Sequence, residues 1–115
     1  MKEGIWKPLV DIYETADSIV IKAELPGVDQ NDIDVLIEEN TLILKGERRH
    51  DGEVKRDNYH RTECYFGTFQ CSLSLPTAID QENVAANCEK GVLTITLPKK
   101  EKTKPKQIYI TVKQA

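Results

Sequence analysis

The sequence has few aromatic side chains, little net charge and no long apolar run. Aromatic residues make up only 6% of the chain. The formal net charge is -3, whereas binding to nucleic acid usually needs a concentrated basic surface. No stretch approaches the roughly 18 apolar residues that span a bilayer. The 115 residues suit one domain, and we expect neither nucleic acid nor a membrane among its partners.

Motifs for catalysis and cofactor binding are also missing. Neither GxxxxGK[ST] nor GxGxxG occurs, so no loop is suited to a nucleotide phosphate. His50 and His60 lie in a charged segment without a nucleophile at a recognisable motif, and Cys64 is near His60 only along the sequence. The acidic stretch at 29–34 lacks the glycine and glutamate of an EF-hand loop and is better explained as a turn before a strand. We expect no enzyme activity, no cofactor and no metal.

Cysteine usage and the first residues predict a reducing compartment. Cys64, Cys71 and Cys88 are odd in number, and their spacing fits neither a zinc pair nor a closed disulfide framework. We expect free structural thiols, with a redox or cross-linking role as the alternative. The opening MKEG leads into a polar segment without the apolar region of a signal peptide, which predicts a cytoplasmic protein.

Short alternations of apolar and polar residues predict about seven β-strands. The predicted strands are 8–14, 18–25, 32–39, 41–47, 67–75, 83–89 and 91–97. Ile33, Val35 and Ile37 share one face while Asp34 and Glu38 take the other, which indicates one buried face and one wet face. A parallel sheet would need crossover helices between its strands, and the sequence supplies none. The pattern therefore predicts an all-β protein with antiparallel sheets packed as a sandwich.

Two segments depart from this pattern. The charged segment 48–66 is long for a connection within a compact domain, and we expect a functional loop with a short strand near 59–64 that serves another chain. The lysine-rich KKEKTKPK at 99–106 predicts a solvated, extended tether, yet the following IYITV alternates like a strand. We therefore divide the chain into a body, 1–98, and a tail, 99–115.

Three stretches resemble the alpha-crystallin domain of small heat-shock proteins. VDIYETADSIVIKAELPGV at 10–28 is similar to the opening strands of that domain. AANCEKGVLTITLPK at 85–99 resembles its signature of an alanine, four intervening residues, Gly-Val-Leu and an alternating strand ended by proline. IYI at 108–110 is similar to the C-terminal Ile-x-Ile anchor of the family. The three stretches follow the order of the family, and the resemblance spans nearly the whole chain.

The resemblance implies an immunoglobulin-like antiparallel β-sandwich that works as an ATP-independent holdase for unfolding proteins. It further implies that the anchor of one subunit, Ile108 and Ile110, inserts into a groove of another subunit between strands 32–38 and 83–88. The side chains implied to line this groove are Val35, Ile37, Val84, Ala86 and Cys88. A final strand folded back onto its own domain is the alternative for IYITV.

Resemblance to the bacterial, archaeal and plant members also implies a homodimer, within larger homo-oligomers, in which the loop strand is exchanged between subunits. The residues implied at that interface are Tyr59, Arg61, Glu63 and Phe66. Cys64 and Cys71 stand where the family often has arginine, so two thiols are expected near the interface, where oxidation would cross-link chains. Pro8 begins the first strand almost at once, so we expect a very short or truncated N-terminal arm.

A different class of function remains open at this point. A co-chaperone sandwich of the CS type shares the architecture but docks one folded partner. Such a module should lack both the Ile-x-Ile anchor and the exchanged strand, and it should be a stable monomer.

Overall fold

Seven β-strands and three single turns of 3₁₀ helix make up the part of the chain that the computed structural model describes, which is residues 5–50, 52–101 and 110–114. The strands are β1 (Val10–Glu14), β2 (Ser18–Glu24), β3 (Ile33–Glu38), β4 (Thr41–Arg48), β5 (Gly67–Ser74), β6 (Ala85–Glu89) and β7 (Val92–Pro98). The 3₁₀ turns are Gln30–Asp32, Arg56–Asn58 and Gln81–Asn83. The ends of the strands differ from the predicted ends by at most two residues.

The strands form two antiparallel sheets. One has four strands in the order β1-β2-β7-β6, and the other has three in the order β3-β4-β5. Each ladder between named strands is antiparallel. The prediction of an all-β antiparallel sandwich is therefore confirmed. The turn predicted before the strand at Ile33 is also present, where the Asp29 side chain accepts a hydrogen bond of 2.9 Å from the amide of Asn31.

Two tight turns set the register of the edge strands. Glu39 and Asn40, with φ of 45° and 65°, connect β3 to β4, and Lys90 and Gly91, with φ of 53° and 79°, connect β6 to β7. Two successive residues with positive φ give a hairpin loop whose twist matches that of the flanking strands. The register is thereby fixed, because a slip of one residue would turn the apolar face of each strand outward.

The core lies between the two sheets and is mainly aliphatic. Its largest fully buried side chains are Phe69, Ile19, Ile21, Leu25, Leu42, Leu44, Ile95 and Leu97. Leu25 lies just after β2, and the others occupy alternate positions along β2, β4, β5 and β7, as a period of two requires. Burial of each such side chain contributes about 1.5–3 kcal/mol, so these residues carry most of the stability of the sandwich.

The chain before β1 closes one side of the sandwich. The Trp6 amide donates to the carbonyl of Thr68 at 3.1 Å, and the Trp6 carbonyl accepts from the amide of Gln70 at 3.1 Å, so Trp6 covers the outer edge of β5. From Trp6 to Val10, where β1 begins, the chain spans at most about 14 Å. The edges of β5 and β1 therefore lie on one side, which we call the closed side. The edges of β3 and β6 lie on the opposite, open side.

One glycine brings β4 against the chain that precedes β3. A Cβ atom on Gly46 would overlap the backbone carbonyl oxygen of Asp32 and lie 2.5 Å from Cζ of the buried Phe69 ring. We predict that Gly46→Ala lowers the free energy of unfolding by about 1–3 kcal/mol, because neither neighbour can move cheaply. Denaturant titration measures the change.

A matched control is Gly52→Ala, since no heavy atom lies within 4 Å of a Cβ built on Gly52. Its effect should stay within about 0.5 kcal/mol. Equal unfolding midpoints for the Gly46→Ala chain and the natural chain would contradict the packing described for β4.

Candidate functional site

The open side presents two edge strands with apolar inner faces. On β3, Val35 pairs with Leu44 and Ile37 with Leu42, and both partners are fully buried. Directly paired residues point to the same face of a sheet, so Val35 and Ile37 face the interior. They are nevertheless only half-buried, because β3 is the last strand of its sheet.

The inner face of β6 is even less covered. Ala86 pairs with the fully buried Ile95, and Cys88 pairs with the buried Leu93, so both face the interior. Cys88 is half-buried and Ala86 is exposed, which means that the opposite sheet does not reach this part of β6. Val84, just before β6, is half-buried against the core.

These five residues are the ones predicted to line a groove, and the fold brings them to the same side. Val35, Ile37, Val84 and Cys88 all pack against the rim of the core, and Ala86 continues the uncovered strip on β6. We call this surface the edge groove: Val35 and Ile37 on β3, with Val84, Ala86 and Cys88 at β6. The parity of the strands predicted the inward direction of these side chains, but it did not predict that Ala86 would be exposed.

The backbone of the edge groove is open as well. Within the described residues, β3 pairs only with β4 and β6 pairs only with β7. Each strand therefore has one row of amide and carbonyl groups outside any ladder. Such a row is a template for an added strand. An apolar strip beside an unpaired ladder is suited to an extended peptide with alternating apolar side chains.

The predicted anchor is only partly within the described residues. Ile108 lies outside them, whereas Ile110 is described and its side chain is 82% exposed. Residues 110–114 pair with no strand of the described chain. The alternative of a final strand folded back onto its own sandwich is therefore not found for these residues.

Side-chain contacts of Arg49 and His50 hold the start of the loop between β4 and β5 in place. Arg49 donates two hydrogen bonds of 3.0 Å to the two carboxylate oxygens of Asp32. His50 Nε2 lies 2.8 Å from the hydroxyl of Tyr59, and the His50 ring meets the edge of Phe66 with centroids 5.2 Å apart. In a single chain, two residues predicted at the dimer interface therefore contact the loop's own histidine.

The other two residues predicted at the dimer interface, Arg61 and Glu63, are exposed. The side chains of Arg61 and Glu63 are 82% and 73% exposed, and they approach each other only to 3.9 Å. Residues 59–64 form no ladder within the described single chain. A strand here needs a pairing edge from elsewhere, so the exchanged strand stays a prediction.

The three thiols occupy different environments. Cys64 is exposed, Cys88 borders the edge groove and Cys71 is buried in the core. Burial raises the pKa of the Cys71 thiol, so its reactive thiolate is scarce at neutral pH. The prediction that both Cys64 and Cys71 are available for cross-linking is therefore wrong for Cys71. Its inward position follows from its register opposite the buried Leu44.

Two structurally important residues were not singled out from the sequence. Trp6 stacks on Tyr65 with centroids 6.3 Å apart, packs on Phe69 at 5.1 Å and receives the Arg48 guanidinium over its ring at 4.4 Å. Lys99, which was assigned to the solvated tail, is 4% exposed and belongs to the body. As the only tryptophan, Trp6 could have been recognised as an anchor of the closed side.

Two other kinds of site are absent from the described residues. Among residues 5–50, 52–101 and 110–114, no three side chains of His, Cys, Asp or Glu are grouped as metal ligands would be. None of the helical segments in the same residues has the length and apolar character needed to cross a bilayer.

Comparison with known proteins identifies the relatives of this sandwich. The sequence profile of the Hsp20/alpha crystallin family matches residues 11–113. The chain belongs to this family. Small heat shock protein C4 of Rickettsia felis is 43% identical over 107 residues, which are 93% of this chain and 66% of that protein. The chain spans about two thirds of the length of the curated relatives it matches.

Solved structures of Hsp20 proteins share the fold. Heat shock protein 16.0 from Schizosaccharomyces pombe superposes with a TM-score of 0.81 at 33% identity, over 94% of this chain and 99% of that one. A small heat-shock protein from Xylella fastidiosa gives a TM-score of 0.76 at 34% identity, over 93% and 98% of the two chains. Small heat-shock proteins are ATP-independent chaperones and not enzymes.

Proposed function

We propose that this chain is an ATP-independent holdase that binds unfolding proteins and prevents their aggregation. The observation that carries the proposal is the edge groove, where the apolar strip of β6 and the rim residues of β3 lie beside two unpaired ladders. An unfolding client exposes extended segments with alternating apolar side chains. Main-chain hydrogen bonds supply affinity that is independent of sequence, so one groove can serve many clients.

In the absence of a client, the anchor of a second subunit occupies the edge groove. Burial of one isoleucine contributes about 1.5–3 kcal/mol, so Ile108 and Ile110 together contribute about 3–6 kcal/mol before ordering is subtracted. Ordering the backbone costs about 1–2 kcal/mol per residue, which makes a single docked anchor weak. Several anchors in one assembly act at high effective concentration, so the assembly persists while each groove opens often enough for a client.

Charge also favours this pairing. The strands that form the edge groove carry Asp34 and Glu38 on β3 and Glu89 on β6, all of them exposed. The segment leading to the anchor, 99–106, is rich in lysine. Attraction between an acidic rim and a basic peptide speeds encounter and helps fix the register of docking.

The edge of β1 supports the proposed homodimer. Ile12 pairs with the fully buried Ile21 and thus faces the interior, yet it is 43% exposed because the three-stranded sheet does not extend beneath β1. A strand from the loop of a second copy would cover this face and pair with the open ladder of β1. We place Tyr59, Arg61, Glu63 and Phe66 at that interface. The related protein of Xylella fastidiosa adopts a distinct high order structure, which is consistent with self-assembly beyond the dimer.

Two further parts of the proposal concern organisation and location. The body is the alpha-crystallin domain, which extends through the buried Lys99, and the tail that follows carries the anchor. The proposed compartment is the cytoplasm, where the three free thiols stay reduced. A co-chaperone module that docks one folded partner would not need the two open edges.

Our first prediction concerns activity. A heat-labile client warmed with an equimolar amount of this chain, without ATP, should scatter substantially less light than the client alone, because its exposed strands are held in the edge groove. An unrelated β-sandwich of similar size at the same concentration is the control. Equal scattering with and without this chain would contradict the holdase proposal.

A second prediction concerns the anchor. Ile108→Ala combined with Ile110→Ala should weaken each docking event by about two orders of magnitude, since about 3 kcal/mol of burial is lost. Native mass spectrometry should then show smaller assemblies, while circular dichroism shows an intact sandwich.

The matched control for the anchor combines Tyr109→Ala with Thr111→Ala, which alters the alternate positions of the same peptide. This control should assemble more like the natural chain than the isoleucine variant does. Identical masses for the isoleucine variant and the natural chain would refute the anchor.

A third prediction concerns the loop. Deleting 52–62 should yield monomers, because the segment proposed to pair with β1 of a second copy is removed. Replacing the same residues with a Gly/Ser linker of equal length should also yield monomers. This variant removes the side chains without shortening the loop. Size-exclusion chromatography with light scattering gives the mass, and a dimer in both variants would rule out strand exchange.

A further inference from the structure

The first residues after β7 are held unusually firmly. The Lys99 side chain is 3% exposed, and its Nζ lies 2.6 Å from Oε2 of Glu14 on β1. Lysine is almost never fully buried unless its charge is paired. Glu14 pairs with the fully buried Ile19 and thus faces the interior, so this ion pair joins the start of the tail to the inner face of an edge strand.

The backbone at this point is held from both sides. The Lys99 amide donates to the carbonyl of Asp17 at 2.8 Å, and the Lys100 amide donates to the carbonyl of Ala78 at 2.9 Å. Ile79 forms an antiparallel bridge with Lys99. The backbone therefore stays tied to neighbouring segments for two residues beyond the proline that ends β7. We call Glu14, Lys99 and these backbone bonds the tail clamp.

We propose that the tail clamp positions the C-terminal anchor by fixing where the tether begins. Ile108 follows Lys100 by eight residues, so the anchor reaches at most about 28 Å from the clamp. Releasing Lys99 and Lys100 would add two residues and about 7 Å to this reach and would free the direction of exit. The effective concentration of an anchor at a given groove depends on the length of its tether.

The clamp thereby selects which groove of an assembly each anchor can reach. An intact clamp restricts the tether to a narrow set of distances and favours one arrangement of subunits. A released clamp admits several arrangements. Glu14 and Lys99 are positioning residues in this scheme, since neither belongs to the edge groove. The inference rests on the proposed anchor docking and adds the element that makes the docking selective.

The test compares Lys99→Met and Glu14→Gln with two matched controls. Methionine keeps the apolar stem of the buried lysine without its charge, and Lys100→Met removes the same charge from the exposed neighbouring residue. Glu24→Gln removes an exposed carboxylate at the far end of β2. Native mass spectrometry should give a broader range of subunit numbers for Lys99→Met and Glu14→Gln, with subunit exchange several-fold faster. Both controls should match the natural chain.

Tether length provides a readout that a merely structural role would not affect. Deleting residues 101–102 from the Lys99→Met chain restores the natural tether length and should narrow the range of assemblies again. The same deletion in the natural chain shortens the tether and should disturb its assemblies. A destabilised body would not be rescued by a shorter tail. Failure of the deletion to rescue Lys99→Met overturns the positioning role.

A peptide-binding experiment distinguishes failure of this inference from failure of the proposed function. A labelled peptide of residues 105–113 is titrated into the chain carrying Ile108→Ala and Ile110→Ala, with and without Glu14→Gln. Equal peptide binding by the chains with and without Glu14→Gln, together with altered assembly of the Glu14→Gln chain, supports the positioning role of the tail clamp. Binding with unaltered assembly overturns the clamp and leaves anchor docking standing. Absence of binding overturns anchor docking and, with it, the proposed task of the clamp.

Discussion

The central constraint on this molecule is that a sandwich of two open sheets has edges, and among the described residues only the β5 edge is covered by another part of the chain, at Trp6. The backbone of Trp6 fills the ladder of β5, and its ring packs on Phe69. No comparable segment among the described residues covers β3 and β6. The core therefore ends on the open side in half-buried residues such as Val35 and Cys88. A docked strand would satisfy the backbone and cover these side chains together.

The rigidity of the body makes weak docking useful. Phe69, Leu42 and Ile95 are fully buried, so the groove needs little rearrangement before a strand is added. The cost of ordering falls mainly on the incoming peptide, which keeps each docking event weak and reversible. In the proposed function, retention of subunits and release of grooves to clients depend on the same modest free energy.

The sequence predicted local features well and distant contacts poorly. Strand periodicity depends on neighbouring residues, and the observed strand ends agree closely with the predicted ends. Lys99 appeared to be part of a solvated run because its partner, Glu14, lies at the other end of the chain. Predicting the burial of Cys71 would have required its register with Leu44. Predicting the exposure of Ala86 would have required the extent of the opposite sheet. The interface of the loop depends on a second chain, which one sequence does not place.

Hydrogen exchange at the edge groove tests the central claim most directly. The chain carrying Ile108→Ala and Ile110→Ala is measured with and without a peptide of residues 105–113. The account predicts slower exchange of amides in β3 and β6 on peptide binding, with the amide of Gln70 on β5, which already donates to the Trp6 carbonyl, unchanged. Bound peptide that leaves exchange in β3 and β6 unaltered would contradict it.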